Sequence, residues 1–218
     1  MTKQWDNIYE KQGEKYKYYN IFEPHKDMSY VSKVFSKHKV NTILDLGCGV
    51  GRNLIFLSKK GFNLYGIDYS LDGVKILNSK LKSLKLSDKT NIICGSFYDK
   101  LPYKDFFFDA IISVQSLQHG KEKQIKFAIK EMLRVLKPNG LIFITLAGRT
   151  SKGKVRHCLV KTAKKIAPNT YLPTIGDEIG LVHFIYNKEL IEKHYKDFKI
   201  IKSWRDDKDY YCIIGQKK

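Results

Sequence analysis

Cysteine and arginine are both scarce in this chain of 218 residues, and each scarcity weighs against a class of protein. Cys48, Cys94, Cys158 and Cys212 stand far apart with no Cys-x-x-Cys pair. Neither a zinc ribbon nor a disulfide framework is indicated, and reduced, mostly buried thiols are expected. No apolar run reaches the length needed to span a bilayer, and the polar start Met1-Thr2-Lys3-Gln4-Trp5-Asp6 lacks a signal-peptide pattern. A soluble cytoplasmic protein with no membrane partner is expected. The sequence also shows no metal-ligand constellation, nucleophile elbow or Walker loop, so hydrolase and phosphotransferase readings have no support.

Negative charge is in short supply as well: 22 Asp and Glu face 40 Lys and Arg, a formal net charge of +18. Cationic side chains on phosphates supply most sequence-independent affinity for nucleic acid, which raises an RNA-binding reading. The excess is nearly all lysine, however. Arginine, the usual choice for bidentate phosphate and base contacts, occurs only at positions 52, 134, 149, 156 and 205. A lysine-rich background therefore explains most of the charge. One stretch resists that explanation, because no acid occurs between Glu131 and Asp177 while Arg149, Lys152, Lys154, Arg156, Lys161, Lys164 and Lys165 crowd together. Such a patch suits an anionic substrate.

What the chain does have is concentrated in Ile43-Leu44-Asp45-Leu46-Gly47-Cys48-Gly49-Val50-Gly51, a short apolar run that opens into alternating glycines. It reads as a buried strand, a tight turn, and a helix starting near Arg52 with apolar Leu54, Ile55 and Leu57. Glycines there permit positive φ and close backbone approach, and the first turn of the helix offers N–H groups with no intrahelical partner. A dinucleotide fingerprint, Gly-x-Gly-x-x-Gly, would put glycine where Arg52 stands, which argues against a nicotinamide or flavin site. Further strands are expected at Asn63 to Ile67, Thr90 to Cys94, Phe106 to Ile112 and Leu141 to Leu146. Helical stripes run through Val74, Leu77, Leu81 and Leu84, and through Ile125, Ala128, Ile129, Met132, Leu133 and Leu136. Alternating strands and helices call for an α/β, doubly wound, mostly parallel sheet. A last helix near Lys188 to Tyr195 precedes strands Phe198 to Trp204 and Tyr210 to Ile214, which the charged link Arg205-Asp206-Asp207-Lys208-Asp209 joins as an antiparallel hairpin.

Leu44 to Asn53 resembles the first motif of the class I S-adenosylmethionine-dependent methyltransferases. The sequel strengthens the likeness: Asp68 closes the second strand about twenty residues after Asp45, where such a sheet places a ribose-binding acid. Phe108-Asp109-Ala110-Ile111 resembles the family's fourth strand, and Leu136-Lys137-Pro138-Asn139-Gly140 the turn into its fifth, with Asn139 in place of a glycine but equally tolerant of left-handed backbone. The resemblance covers roughly 42–146. It implies a Rossmann-like, seven-stranded sheet of order 3-2-1-4-5-7-6 with an antiparallel C-terminal hairpin, S-adenosylmethionine as cofactor and S-adenosylhomocysteine as product. One domain over 1–218 is expected, divided into N-terminal lid or helices (1–40), cofactor-binding core (41–147), insert or substrate region (148–186) and C-terminal helix and hairpin (187–218).

The same resemblance places the cofactor site at the carboxyl ends of the strands. Asp45, Gly47, Cys48 and Gly49 belong to its first motif, the latter three lining the methionine portion, with Arg52 or Asn53 reaching the carboxylate. Asp68 would accept from the ribose hydroxyls, and Tyr69 would lie along the adenine. Relatives carry Gly-Asp after the third strand where this chain has Gly95-Ser96, so adenine recognition falls to the shorter Ser96 hydroxyl, to backbone groups or to packing by Phe97, and Asp99 is left a structural or loop role. Gln115 is the candidate polar contact near the sulfonium. His119 and His183 are the candidate general bases, should the acceptor need one. Trp5, Tyr9, Tyr16, Tyr18, Tyr19 and Phe22 could form an aromatic lid over a cationic sulfonium. A small-molecule acceptor is the first expectation and RNA, such as tRNA, the second; a cofactor-binding module without turnover is the third.

Overall fold

The computed structural model describes residues 4–6, 9, 22–150, 152, 162–176 and 178–218. Helix α1 (Met28–Lys37) leads into β1 (Thr42–Leu46), α2 (Arg52–Lys59), β2 (Asn63–Asp68), α3 (Leu71–Ser83), β3 (Thr90–Cys94), β4 (Phe108–Ser113), α4 (Glu122–Val135) and β5 (Leu136–Leu146). Three short strands follow, β6 (Ala163–Ala167), β7 (Thr170–Pro173) and β8 (His183–Phe184); α5 (Lys188–His194), β9 (Phe198–Arg205) and β10 (Tyr211–Lys217) close the fold. The main sheet has seven strands in the order β3-β2-β1-β4-β5-β10-β9. β1 to β5 pair in parallel, and β10 runs antiparallel to both β5 and β9. That is the doubly wound sheet with a reversed closing hairpin expected from the sequence.

Period-two alternation sorts each central strand between two cores. Ile43 of β1, Ala110 and Ile112 of β4, and Leu141 and Phe143 of β5 face one cluster, with Met28, Val31, Phe35, Leu54, Leu57, Leu77 and Leu81 of α1 to α3. Leu44, Leu46, Ile111, Ile142 and Ile144 face the other, with Ile125, Met132 and Ile191 of α4 and α5, and Phe108 joins them because the β4 register shifts between Phe108 and Ala110. Because both faces are covered, these strands read as nearly unbroken apolar runs. Two helices begin on caps written in the sequence: Ser70 accepts from the Gly73 amide at 2.9 Å, and Asn187 accepts from the Leu190 amide at 2.9 Å.

Three local expectations change. Leu84, placed with the α3 stripe, falls just past the helix end and is exposed, whereas Val74, Leu77 and Leu81 are buried. β5 begins at Leu136 rather than after the turn, because Leu136 pairs with Phe108 before the register shifts; Asn139 still takes a left-handed φ of 61° within that exposed irregularity. The stretch read as irregular after β5 contains a second, three-stranded antiparallel sheet, β6-β7-β8. Its strands are too short, and β6 too exposed, to leave an alternating pattern.

Asp109 of the fourth-strand motif sits away from the glycine turn. It accepts from the amides of Asn41 at 3.0 Å and Thr42 at 2.8 Å and from the Lys137 ammonium at 2.6 Å, tying the starts of β1, β4 and β5 together. Burial works against the charge, but Lys137 and the two amides outweigh it and hold the carboxyl below its usual range. A depressed carboxyl contributes stability above its unfolded pKa and loses it as pH falls through the folded one. Asp109→Ala is therefore expected to destabilise the fold by about 1.5–3 kcal/mol at pH 7, a difference that urea denaturation should show shrinking below pH 4 or so.

Candidate functional site

The turn after β1 requires its glycines. Gly47, Gly49 and Gly51 have φ of 79°, 52° and 85°, a region where a Cβ is strained. Space is closed as well: a Cβ at Gly47 would meet the Ser116 side chain, one at Gly49 would fall 2.5 Å from the Tyr9 hydroxyl, and one at Gly51 would strike Leu77. The turn is held from β2. Asp68 accepts from the Gly49 amide at 2.7 Å through one oxygen and from the Ser70 amide at 2.9 Å through the other. Burial pushes its pKa up, and the amide hydrogen bonds pull it back.

β1 lies between β2 and β4, with β3 beyond β2, so the carboxyl ends of four strands surround one cavity of about 280 Å³. From the β2 and β3 side, Asp68, Tyr69, Ser96 and Phe97 line it; from the β1 turn and α2, Gly47, Cys48, Gly49, Arg52 and Asn53; from the β4 side, Gln115 and His119. Eleven of the thirteen residues expected at the site thus meet on one wall. The other two stand behind it. Asp45 is buried under the turn, where burial first and the Asp68 charge second push its carboxyl up to about 8 against the pull of Arg52. His183 packs on His119 with ring centroids 4.8 Å apart, and its Nε2 lies 3.3 Å from a Glu178 carboxylate oxygen.

Several wall residues are already engaged. Arg52 Nη2 donates to Gln115 Oε1 at 2.7 Å, bridging α2 to the end of β4. Gln115 adopts a φ of 60°, and its amide donates to Thr145 Oγ1 at 2.7 Å, which aims the residue out of the strand. Asn53 accepts from the His25 amide at 2.8 Å, so its oxygen braces the chain before α1. Ser96 accepts from the Tyr98 amide at 3.1 Å. His119 is buried, its Nδ1 has no hydrogen-bond partner among the described residues, and burial followed by the neighbouring His183 pushes its pKa down to about 3.

Sequence reasoning missed Asp99, given a loop role but present on the wall, and did not single out Tyr98, Gln124 or Leu181. Asp99 follows β3 closely enough for its position to have signalled it. Leu181 comes from the second sheet region, for which no local signal existed. Trp5 and Tyr9 do line the cavity: the Trp5 ring meets His119 edge-on at 5.1 Å, and burial and the Asp68 charge keep the Tyr9 hydroxyl protonated. Gln4 donates to the Ile179 carbonyl at 2.5 Å, while Asp6 accepts from Ser70 Oγ at 2.5 Å, so this segment crosses the mouth from the insert to the start of α3. Tyr16, Tyr18 and Tyr19 lie outside the described residues, as do Lys154, Arg156 and Lys161 of the basic stretch.

A doubly wound sheet with a glycine turn and an acid closing its second strand defines a nucleotide-type cofactor site. Residues 44–144 match the model of the methyltransferase domain family. Among curated proteins, the chain is 30% identical over 152 residues to norajmaline N-methyltransferase of Rauvolfia serpentina, covering 67% of this chain and 51% of that one. It is 37% identical over 107 residues to the tRNA (carboxymethyluridine(34)-5-O)-methyltransferase of Arabidopsis thaliana, covering 49% of this chain and 24% of that protein. The chain thus spans about half the length of the first relative and a quarter of the second. A solved S-adenosylmethionine-dependent methyltransferase from Methanosarcina mazei shares the fold with a TM-score of 0.69 at 22% identity, over 82% of this chain and 92% of that one. The chain belongs to the class I S-adenosylmethionine-dependent methyltransferases.

The state of His119 has a measurable consequence. Unfolded histidine titrates near 6.5, whereas His119 refuses the proton down to about 3. Between these values the unfolded chain binds more protons, so this residue makes stability fall as pH drops below roughly 6.5. In a histidine-resolved NMR titration its imidazole is expected to stay neutral from pH 8 to 5, and His119→Gln should flatten the acid side of the melting-temperature profile.

Proposed function

We propose that this protein transfers a methyl group from S-adenosylmethionine to a small-molecule acceptor. The observation that carries the reading is the cavity's two-sided character. On the side of β2 and β3 it offers a carboxylate, a hydroxyl and aromatic rings suited to a nucleoside; on the side of β4 it is lined by Trp5, His119 and Leu181, where a compact acceptor would sit. The residues fit the cofactor. The glycines of the 47–51 turn present backbone without Cβ atoms, and the Asp68 carboxylate, which accepts from the amides of Gly49, Ser70 and Tyr69, keeps acceptor capacity for a hydroxyl.

In this reading Asp68 holds the ribose hydroxyls, Tyr69 and Phe97 flank the adenine with Ser96 and Asp99 at its edge, and Arg52, already fixed on Gln115, meets the carboxylate. When bound, the cofactor supplies an electrophilic methyl group on a sulfonium. The chain's own contribution is placement, since holding the reacting atoms in register supplies most of the acceleration for an in-line displacement. Trp5 and Tyr9 exclude water and offer aromatic faces to the positive charge. His119, kept neutral with the Gln118 side-chain amide nitrogen 3.4 Å from its Nε2 and edge-on to Trp5, shapes the place where the acceptor would sit. An imidazole with a pKa near 3 is too weak a base to retain a proton at pH 7, so its role is orientation, with His183 and Glu178 fixing its ring from behind.

Two measurements test the proposal. Asp68→Ala is expected to weaken S-adenosylmethionine binding by at least about tenfold, from the loss of charge-assisted hydrogen bonds. Unchanged calorimetric affinity in the folded variant would remove Asp68 from the site. Radiolabelled methyl transfer into a lysate, sorted into small-molecule, RNA and protein fractions, is expected to label the small-molecule fraction. Label in RNA would transfer the acceptor reading to RNA and the basic stretch, and cofactor binding without any labelled product would mean a binding module.

A further inference from the structure

Outside the cavity, three residues far apart in sequence converge where the chain before α1 meets the closing hairpin. One ring nitrogen of His25, one carboxylate oxygen of Asp27 and the Cys212 sulfur lie within 4.8 Å of one another. His25 and Cys212 are buried and Asp27 is half-buried. The surroundings fix the orientation of the donors. His25 Nε2 stands 3.2 Å from Asp206 Oδ2, and the other Asp206 oxygen accepts from the amides of Lys208 at 3.0 Å and Tyr210 at 2.8 Å, so the hairpin turn holds this carboxylate still. With the Nε2 proton on Asp206, the lone pair of His25 is on Nδ1. That atom accepts a long hydrogen bond from the Asp27 amide at 3.3 Å and lies 3.9 Å from Asp27 Oδ2, so a metal would take the place of the amide proton. The Trp204 indole N–H donates to the same Asp27 oxygen at 2.9 Å.

We propose that His25 Nδ1, the Asp27 carboxylate and the Cys212 thiolate form a zinc-type divalent metal site, with a water in the fourth position. Nitrogen, oxygen and sulfur donors together suit zinc, whereas magnesium and calcium take oxygen alone. The supporting layer is of the kind metal sites need: a carboxylate on the far nitrogen of the histidine and a donor on the ligating carboxylate. Charge agrees. Two carboxylates against one imidazole make a locally anionic, largely buried cluster in a chain of net charge +18. Zinc bonds of about 2.0–2.3 Å in a tetrahedron set donors about 3.3–3.8 Å apart, so donors within 4.8 Å of one another need to close by up to about 1.5 Å, through rotations of Asp27 and Cys212. On binding, the Cys212 S–H bond breaks and its proton leaves to solvent as the metal–sulfur bond forms; no electrons are transferred. The metal would staple the segment before α1 to β10, and with it the His25 amide that Asn53 holds at the cavity wall.

The test uses the intact chain, stripped with a chelator and titrated with cobalt(II) as the probe. One equivalent is expected to bind with a thiolate-to-cobalt charge-transfer band in the near ultraviolet, which zinc should then displace. Cys212→Ala is expected to abolish the band, while Cys94→Ala and Cys158→Ala keep it. Asp27→Asn should weaken cobalt binding at least tenfold, and it decides the matter if Cys212→Ala does not fold. Absence of the band from the unmodified chain, its survival in Cys212→Ala, its loss in Cys158→Ala, or unchanged affinity in Asp27→Asn would each overturn the assignment.

Discussion

The carboxylate of Asp68 is the constraint on which the site depends. It stands at the end of β2 and spends one hydrogen bond on the turn after β1 and one on the start of α3. Two loops that leave neighbouring strands are thereby fixed relative to each other before any ligand arrives. A charge buried this deeply is costly unless hydrogen-bonded, and the amides it accepts from are donors that a tight turn and a helix start leave without backbone partners. Asp45 beneath the turn shows the alternative outcome: with the Asp68 charge close by, burial pushes its pKa up to about 8, and the acid stays protonated at neutral pH.

The opposite end of the sheet solves a similar problem for structure alone. Asp109 ties β1 to β5 through two amides and Lys137. Arg134 at the end of α4 gathers Glu131, Asp105 and the carbonyls of Leu101 and Tyr103. In so basic a chain, these carboxylates mark places where the fold needs an acceptor.

The mouth of the cavity is built from parts that share no local pattern. Gln4 reaches the Ile179 carbonyl, Asp6 reaches Ser70, and Trp5 between them and Tyr9 beyond them pack against His119 and Gly49. The small second sheet carries Leu181 and His183 to the same place from the other side of the chain. Relatives differ in their acceptors, norajmaline in one and a tRNA uridine in another, and in the proposed reading it is this mouth, not the glycine turn, that meets the acceptor.

The sequence by itself determined the order of strands and helices, the position of the glycine turn and the acid that closes β2, because each rests on a local cause: apolar periodicity, a positive φ that only glycine adopts freely, and side-chain caps such as Ser70 and Asn187. It also placed most of the cavity wall, since residues just past the carboxyl ends of neighbouring parallel strands are brought together by the sheet order. Only the tertiary structure decided that Asp45 and His183 stand behind the wall, that Asp99 and Leu181 stand on it, that residues 163–184 contain a second sheet, and that His25, Asp27 and Cys212 meet. Those outcomes depend on which side chains from distant segments compete for one buried space, and no spacing along the chain records that competition.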